Sequence, residues 1–367
     1  MKKSILFASL IALIAVTVVS CKKKGCTDPI AINYNENADK DDGSCLYEPS
    51  LPTTVQRISY GADDRQHFDL YIPGTHDENT KTVLLVHGGA WVLGPLAADS
   101  VILFGPLGID LTSKLLNEGY AVAVMKYRLA CYTEDAISLS GNPSFYMDLI
   151  VEDLDLAIAK LKTEAAMLVI SPNDFALIGE SAGAHIALMY ALQCTDTALK
   201  TVISFYGPTL MDEEIFKANA SSAPYNNFTV NSFFALRDGA AGCDMSTTGS
   251  ADLSWGINSF VGAELEVGSV NAAFSDTLSP AYANNLVRNL PVLLMHGMSD
   301  DLVPHAHGDS LLVELNAKFG TTPAALNDFS AQHKLLKYEN CGHGWSGGGC
   351  NKAAIRQDVI EWLEAHF

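Results

Sequence analysis

The sequence predicts an α/β fold, an open and mostly parallel sheet with helices on both faces. Three observations carry this expectation. From about Thr53 to Phe367, short β-branched or apolar runs alternate with helical periods, which is the pattern of successive β–α units. Several runs are continuously apolar rather than alternating, as strands covered on both faces are. The chain has 367 residues, 48% hydrophobic and only 18% charged, which suffices for one substantial core.

In chain order, residues 1–20 read as a targeting segment. Lys2 and Lys3 precede an apolar stretch from Ser4 to Val19, and Val18-Val19-Ser20-Cys21 resembles a lipobox, with Cys21 as the lipidated residue. The alternatives are an ordinary cleaved signal or a short membrane anchor. The lipobox reading predicts a lipid-anchored bacterial envelope protein, periplasmic or surface-exposed, with its remaining domains soluble. Residues 21–52 then form a separate segment. Cys26-Thr27-Asp28-Pro29, Asn33-Tyr34-Asn35 and Asp41-Asp42-Gly43-Ser44-Cys45 are similar to a short Cys-bounded repeat of bacterial surface proteins. Its oxygen side chains would suit calcium, but the spacing is not an EF-hand loop. A disulfide-closed spacer is the favoured reading.

The α/β domain is expected over residues 53–367. Phe68 to Ile72 alternates and stops at Pro73-Gly74, as an outer antiparallel strand would. Thr82–Val86, Ala121–Met125, Phe175–Ile178, Thr201–Phe205, Val292–His296 and Leu335–Tyr338 are the further strands. Met147, Ile150, Val151, Leu154, Ile158 and Leu161 mark one apolar helix face. Other helices start at Ser181 and span about Ala353 to Phe367. Residues 209 to about 285 exceed an ordinary crossover, and are read as a cap-like insertion.

Charge narrows the partners. With 42 acidic against 23 basic residues the net charge is −19, which disfavours phosphate backbones and hence nucleic acid. Eight cysteines suit an oxidising compartment. Cys26 with Cys45 and Cys341 with Cys350 are candidate pairs, and if Cys21 is acylated and all pairing is intramolecular, one of Cys131, Cys194 and Cys243 stays free; sequence alone leaves the connectivity open.

The chemistry gathers on a few loops. Phe175 to Ile178 runs into Gly179-Glu180-Ser181-Ala182-Gly183, and a helix follows. G-x-S-x-G is common by chance, but a strand before it and a helix after it are what a nucleophile elbow requires. The tight turn lifts the hydroxyl of Ser181 above the sheet edge, over a helix N-terminus that favours negative charge. His87-Gly88-Gly89-Ala90-Trp91 follows the strand ending at Val86, where backbone N–H groups can approach a tetrahedral oxyanion closely. An ordinary Gly-rich turn is the bland alternative. Its place straight after a strand and upstream of the serine argues against it.

Together, His-Gly-Gly-x-Trp and Gly-Glu-Ser-Ala-Gly resemble the esterase/lipase α/β-hydrolases related to hormone-sensitive lipase, nearest to bacterial carbohydrate-esterase-like members. Lys126-Tyr127-Arg128-Leu129-Ala130 and Ser204-Phe205-Tyr206-Gly207-Pro208 support the likeness, which runs from about Tyr60 to Phe367. The resemblance implies the α/β-hydrolase fold. By position it makes the amides of Gly89, Ala90 and Ala182 the oxyanion donors, with Ala90 where many relatives have a third Gly. His296-Gly297-Met298-Ser299-Asp300-Asp301-Leu302-Val303-Pro304 resembles the family's acid loop and assigns Asp300, not its neighbour Asp301, as the carboxylate.

The base should follow the acid in chain order. His343, in Cys341-Gly342-His343-Gly344-Trp345 after the last expected strand, is the candidate. His185, His296, His305, His307 and His333 are read as packing, loop or surface residues. Glu180 is either a tuning group or a packing residue, and Trp91 and Trp345 either line the pocket or belong to the core. No HExxH or P-loop is present, and no catalytic metal or cofactor is expected.

The expected function is a serine carboxylic-ester hydrolase with an acyl-enzyme, removing acetyl or feruloyl groups from polysaccharides. The alternatives are a peptidase or amidase of the same fold and a non-catalytic surface binding lipoprotein. The partners expected are a small-molecule or oligosaccharide ester and, through Cys21, a membrane.

Overall fold

The structure is a computed structural model describing residues 23–27, 34–40, 42–45, 54–89, 91, 108–129, 145–210, 279–325 and 327–367. The chain divides into two compact units, Met1–Tyr47 and Glu48–Phe367. Cys21, the targeting segment, Ala90, Cys131, Cys243 and nearly all of the expected 209–285 insertion lie outside the described residues.

In the first unit a Cys26–Cys45 disulfide closes the segment. Asp39 and Lys40 N–H groups both donate to the carbonyl of Lys23, and Gly25 N–H donates to Lys40 O. These ties give a small loop two anchors where an apolar core is too small to hold it.

The second unit is built on an eight-stranded sheet. Its strands are β1 (Thr54–Ser59), β2 (His67–Ile72), β3 (Thr82–Val86), β4 (Ala121–Met125), β5 (Phe175–Glu180), β6 (Leu199–Phe205), β7 (Val292–Gly297) and β8 (His333–Tyr338). They lie in the order β1-β2-β4-β3-β5-β6-β7-β8. β2 is antiparallel to both β1 and β4, and every later pairing is parallel. This is the α/β-hydrolase sheet. One expectation needs correction here. Phe68–Ile72 is antiparallel but not outermost, because β1 covers its free edge along the register Thr54↔Ile72 to Ser59↔His67. β1, Thr-Val-Gln-Arg-Ile-Ser, is mostly polar, so it gave little periodic signal.

The described helices of this unit are α1 (Gly108–Asn117), α2 (Phe145–Leu168), α3 (Ala182–Gln193), α4 (Ala306–Phe319) and α5 (Lys352–His366). Alternation in the strands assigns them to two faces. Leu84, Val86, Ala121, Ala123 and Met125 pack in one cluster with Leu154 and Leu161 of α2, Leu188 of α3 and Leu311 of α4. Val83, Leu85, Val122 and Val124 join Leu111 and Leu115 of α1 and Ile355, Val359 and Trp362 of α5 on the other. Burial on both faces explains why β3 and β4 read as unbroken apolar runs. Each fully buried Leu or Ile here contributes roughly 1.5–3 kcal/mol of transfer free energy.

α3 is buried along its length from Ala182 to Leu192. It therefore holds the serine turn against the centre of the sheet. The ends of the long connection after β6 meet, since Ala281 N–H donates to Thr209 O at 3.0 Å. No described helix is long and apolar enough to cross a membrane.

Candidate active site

Ser181 ends β5 and caps α3 with φ 51° and ψ −121°. A non-glycine residue held there is strained by about 1–3 kcal/mol, which the surrounding packing must offset. The neighbours show how tight the turn is. A Cβ on Gly179 would lie 2.4 Å from Gly183 O, and one on Gly183 would lie 2.2 Å from Val86 O. Only glycine fits at either place. Ser181 N–H donates to Phe205 O at 2.9 Å, so the next strand fixes the turn.

The base and acid arrive on two neighbouring loops. His343 Nε2 lies 3.1 Å from Ser181 Oγ, and its Nδ1 lies 2.9 Å from Asp300 Oδ2. The other oxygen, Oδ1, accepts from the N–H groups of Leu302 at 3.0 Å and Val303 at 2.9 Å. Asp300 is buried, yet its carboxylate is saturated with donors and placed as an acceptor for Nδ1–H. That hydrogen bond leaves Nε2 as the acceptor facing the serine hydroxyl. Asp301 is exposed beside it. Asp300 N–H donates to Gly297 O and Ser299 N–H to Cys341 O. The two loops are thus tied to each other, and the Cys341–Cys350 disulfide closes the one that carries His343.

The remaining histidines are occupied elsewhere. His296 Nε2–H donates to Val303 O at 2.7 Å, and burial pushes its ring down to about 4. It stays neutral and shapes the acid loop, its Nε2 also lying 3.7 Å from Asp300 Oδ2. His307 Nδ1 accepts from Thr209 N–H, His305 pairs with Asp309, and His333 contacts Thr321. His185, buried in α3, accepts from Trp91 Nε1 at 3.3 Å.

On the oxyanion side, the turn after β3 passes directly over the serine. A Cβ on Gly88 would lie 3.1 Å from Ser181 Cβ. Gly88 N–H points at Glu180 Oε1, 3.4 Å away. Gly89 follows with φ 113°, a conformation that only glycine adopts without strain. Ala182 opens α3, so its N–H is among the first four without an intrahelical acceptor. Gly89 and Ala182 thus lie on the two turns that flank Ser181, and Ala90 is outside the described residues.

Both tryptophans belong to the core. Trp91 packs edge-on against His185, while Trp345 is fully buried against Phe205, Tyr206 and Tyr338. Sequence reasoning missed Tyr206, whose ring centre lies 4.7 Å from that of His343. Its backbone has φ 42°. The following Gly207 was the available signal, since a side chain there would meet Ala184 Cβ at 2.7 Å. Nothing local said that the Tyr206 ring would turn toward the histidine.

Comparison with known proteins gives the family and the fold. The BD-FAE family model matches residues 68–315, more than half of the chain. Isoprenylcysteine alpha-carbonyl methylesterase of Arabidopsis thaliana is 30% identical over 39% of this chain, and the match spans 29% of that protein. The matched part is thus under a third of that relative's length. A truncated carbohydrate esterase from gut microbiota aligns over 87% of this chain and 99% of its own, at 17% identity and TM-score 0.56. Carboxyl esterase 2 of Tuber melanosporum aligns over 87% and 89%, at 15% identity and TM-score 0.54. At those identities the two structures speak to the fold.

Proposed function

The chain belongs to the BD-FAE family of hormone-sensitive-lipase-like α/β-hydrolases, and we propose on that premise that it is a serine carboxylesterase using Ser181, His343 and Asp300. The observation that carries the reading is the single imidazole bridging Ser181 Oγ at 3.1 Å and Asp300 Oδ2 at 2.9 Å. His343 takes the hydroxyl proton as Ser181 attacks the ester carbonyl, and the amides of Gly89, Ala90 and Ala182 hold the oxyanion. The imidazolium then gives its proton to the leaving alcohol. Water, deprotonated by the same ring, releases the acid from the acyl-enzyme.

The substrate we propose is an acetyl or feruloyl ester on a polysaccharide. A carbohydrate esterase among the structural neighbours supports this choice, while the methylesterase relative supports ester hydrolysis alone. We also place the enzyme at the cell envelope, anchored through Cys21, on the strength of the lipobox-like sequence.

The test uses the purified full chain with nitrophenyl acetate, acetylated and feruloylated oligosaccharides, and peptide anilides. The wild type is expected to cleave the esters. Ser181→Ala is expected to lose at least about 10³-fold in kcat. An unchanged rate in that variant would exclude Ser181 as nucleophile, and anilide cleavage without ester cleavage would turn the reading to an amidase.

A further inference from the structure

Glu180, the residue before the candidate nucleophile, has a buried side chain that the hydrolytic steps above leave unused. Its two oxygens face different parts of the site. Oε2 accepts from Tyr206 Oη at 2.7 Å, and Oε1 faces Gly88 N–H at 3.4 Å. Tyr206 in turn lies against His343, with ring centres 4.7 Å apart and planes inclined by 60°. Behind it stands the fully buried Trp345, 5.0 Å away and nearly perpendicular. Tyr206 N–H donates to Met295 O at 2.8 Å, so the platform is fixed to β7 as well. One carboxylate therefore joins the turn that presents the oxyanion donors to the aromatic surface on which the base rests.

We propose that Glu180 is a positioning residue for ester hydrolysis, holding the Gly88 turn and the Tyr206 platform in register and placing a second buried negative charge near His343. The inference rests on the proposed triad. Its logic is that of a preorganised site. Both hydrogen bonds require the carboxylate to accept, and neither needs to reorganise when charge develops. The imidazolium formed during attack gains a nearby anion that Asp300 alone does not supply. A displacement of the base or donors by about 1 Å is enough to cost 10²-fold in rate.

The ionised form is the active one in this scheme. Burial pushes the Glu180 carboxyl up to about 7, opposed by Tyr206, Gly88 N–H and His343. The groups facing it are Tyr206 from the end of β6, His343 and, beyond Tyr206, Asp300 from their loops, and Tyr127 from the end of β4. His87, stacked on Tyr127, precedes the Gly88 turn, and its ring is pushed down to about 3 by burial, so it stays neutral. As the pH falls through about 7, Glu180 takes up a proton and loses one acceptor oxygen. The acid limb of activity should contain that protonation.

The experiment compares full-length wild type, Glu180→Gln, Glu180→Asp, Tyr206→Phe and Ser181→Ala on nitrophenyl acetate from pH 5 to 9. Glu180→Gln is expected to lower kcat about 10- to 100-fold, with KM changed less than about twofold. Its acid limb should lose the component near pH 7. Tyr206→Phe should lower kcat about 3- to 10-fold, because the tie to the platform goes, and should move the Glu180 component of the acid limb to higher pH, because the Tyr206 hydroxyl is one of the groups that hold this carboxyl down. Glu180→Asp is expected to recover part of the kcat lost in Glu180→Gln. Unchanged kcat and acid limb in a folded Glu180→Gln, alongside an inactive Ser181→Ala, would make Glu180 a packing residue only. An active Ser181→Ala would overturn the triad instead, so the two failures are distinguishable. If Glu180→Gln does not fold, Tyr206→Phe decides, and a wild-type kcat in that variant would overturn the inference.

Discussion

In the proposed triad Asp300 orients His343 through the one oxygen that the acid-loop backbone leaves to it. Oδ1 is held by two backbone N–H groups, from Leu302 and Val303, so Oδ2 alone is left to accept from Nδ1 of His343. In Asp300→Asn the carbonyl oxygen takes the Oδ1 place, since an amide nitrogen there would face two donors. The NH2 group then faces Nδ1 and drives the ring to the tautomer that carries its proton on Nε2. That nitrogen points at Ser181 Oγ, 3.1 Å away, and can no longer accept. We expect kcat to fall about 10⁴-fold with KM nearly unchanged and the thermal midpoint close to wild type. A drop under about tenfold would mean that the tautomer is set elsewhere. Residue for residue, the meeting of Ser181, His343 and Asp300 was legible in the sequence, because the chemistry expected of them dictates chain order. Glu180 was read as either a tuning group or a packing residue and Tyr206 was not singled out, because what joins them is a hydrogen bond between the ends of two adjacent strands, 26 positions apart. No local spacing encodes such a contact.

At the scale of elements, the loops matter more than the strands that carry them. β5 and α3 were readable because a continuously apolar run meets two glycines that tolerate no side chain. β1 was not, and neither was α1, which follows a stretch rich in Gly and Pro with few periodic positions. The edge strand β1 is stabilised by pairing and by the bidentate contact of Arg57 with Asp69 on β2, not by alternation. The His343 loop shows the converse. Its disulfide spans nine positions, and Cys341 O accepts from Ser299 N–H beside the acid. Closing so short a loop removes roughly 2.5 kcal/mol of unfolded-state entropy. The double variant Cys341→Ser, Cys350→Ser should therefore unfold several degrees lower and lose about tenfold in kcat, since base and acid are tied through the same carbonyl. Thermal denaturation and steady-state assays on one preparation check both effects. Full kcat in the variant would show that the surrounding packing alone fixes the loop.

For the whole molecule, the buried histidines set how the fold answers to acid. His87, His296, His307 and His333 are each no more than 2% exposed, and burial pushes them down to about 3, 4, 3 and 4 respectively. An imidazole that stays neutral when folded takes up its proton near pH 6.5 once unfolded. Between pH 6.5 and about 4 the unfolded chain thus binds more protons, and stability falls with the pH. Glu180, raised to about 7 by burial, acts in the opposite sense, because there the folded state holds the extra proton. These four rings against Glu180 alone leave about three protons, on the order of 4 kcal/mol per pH unit, and His67 and His366, also lowered by burial, add to the loss. That is large beside a stability of about 5–15 kcal/mol, so unfolding should set in between pH 5 and 6. The net charge of −19 works against this loss, since mild acid relieves repulsion between carboxylates. Salt separates the two effects. At 0.5 M NaCl, where the Debye length is about 4 Å, surface repulsion is screened while groups inside the core are not. The midpoint of urea unfolding is therefore expected to drop from pH 7.5 to 5.5 at both low and high salt, and more steeply at high salt. A midpoint that stays flat or rises over that range in high salt would mean that these rings are already protonated, and hydrated, in the folded state.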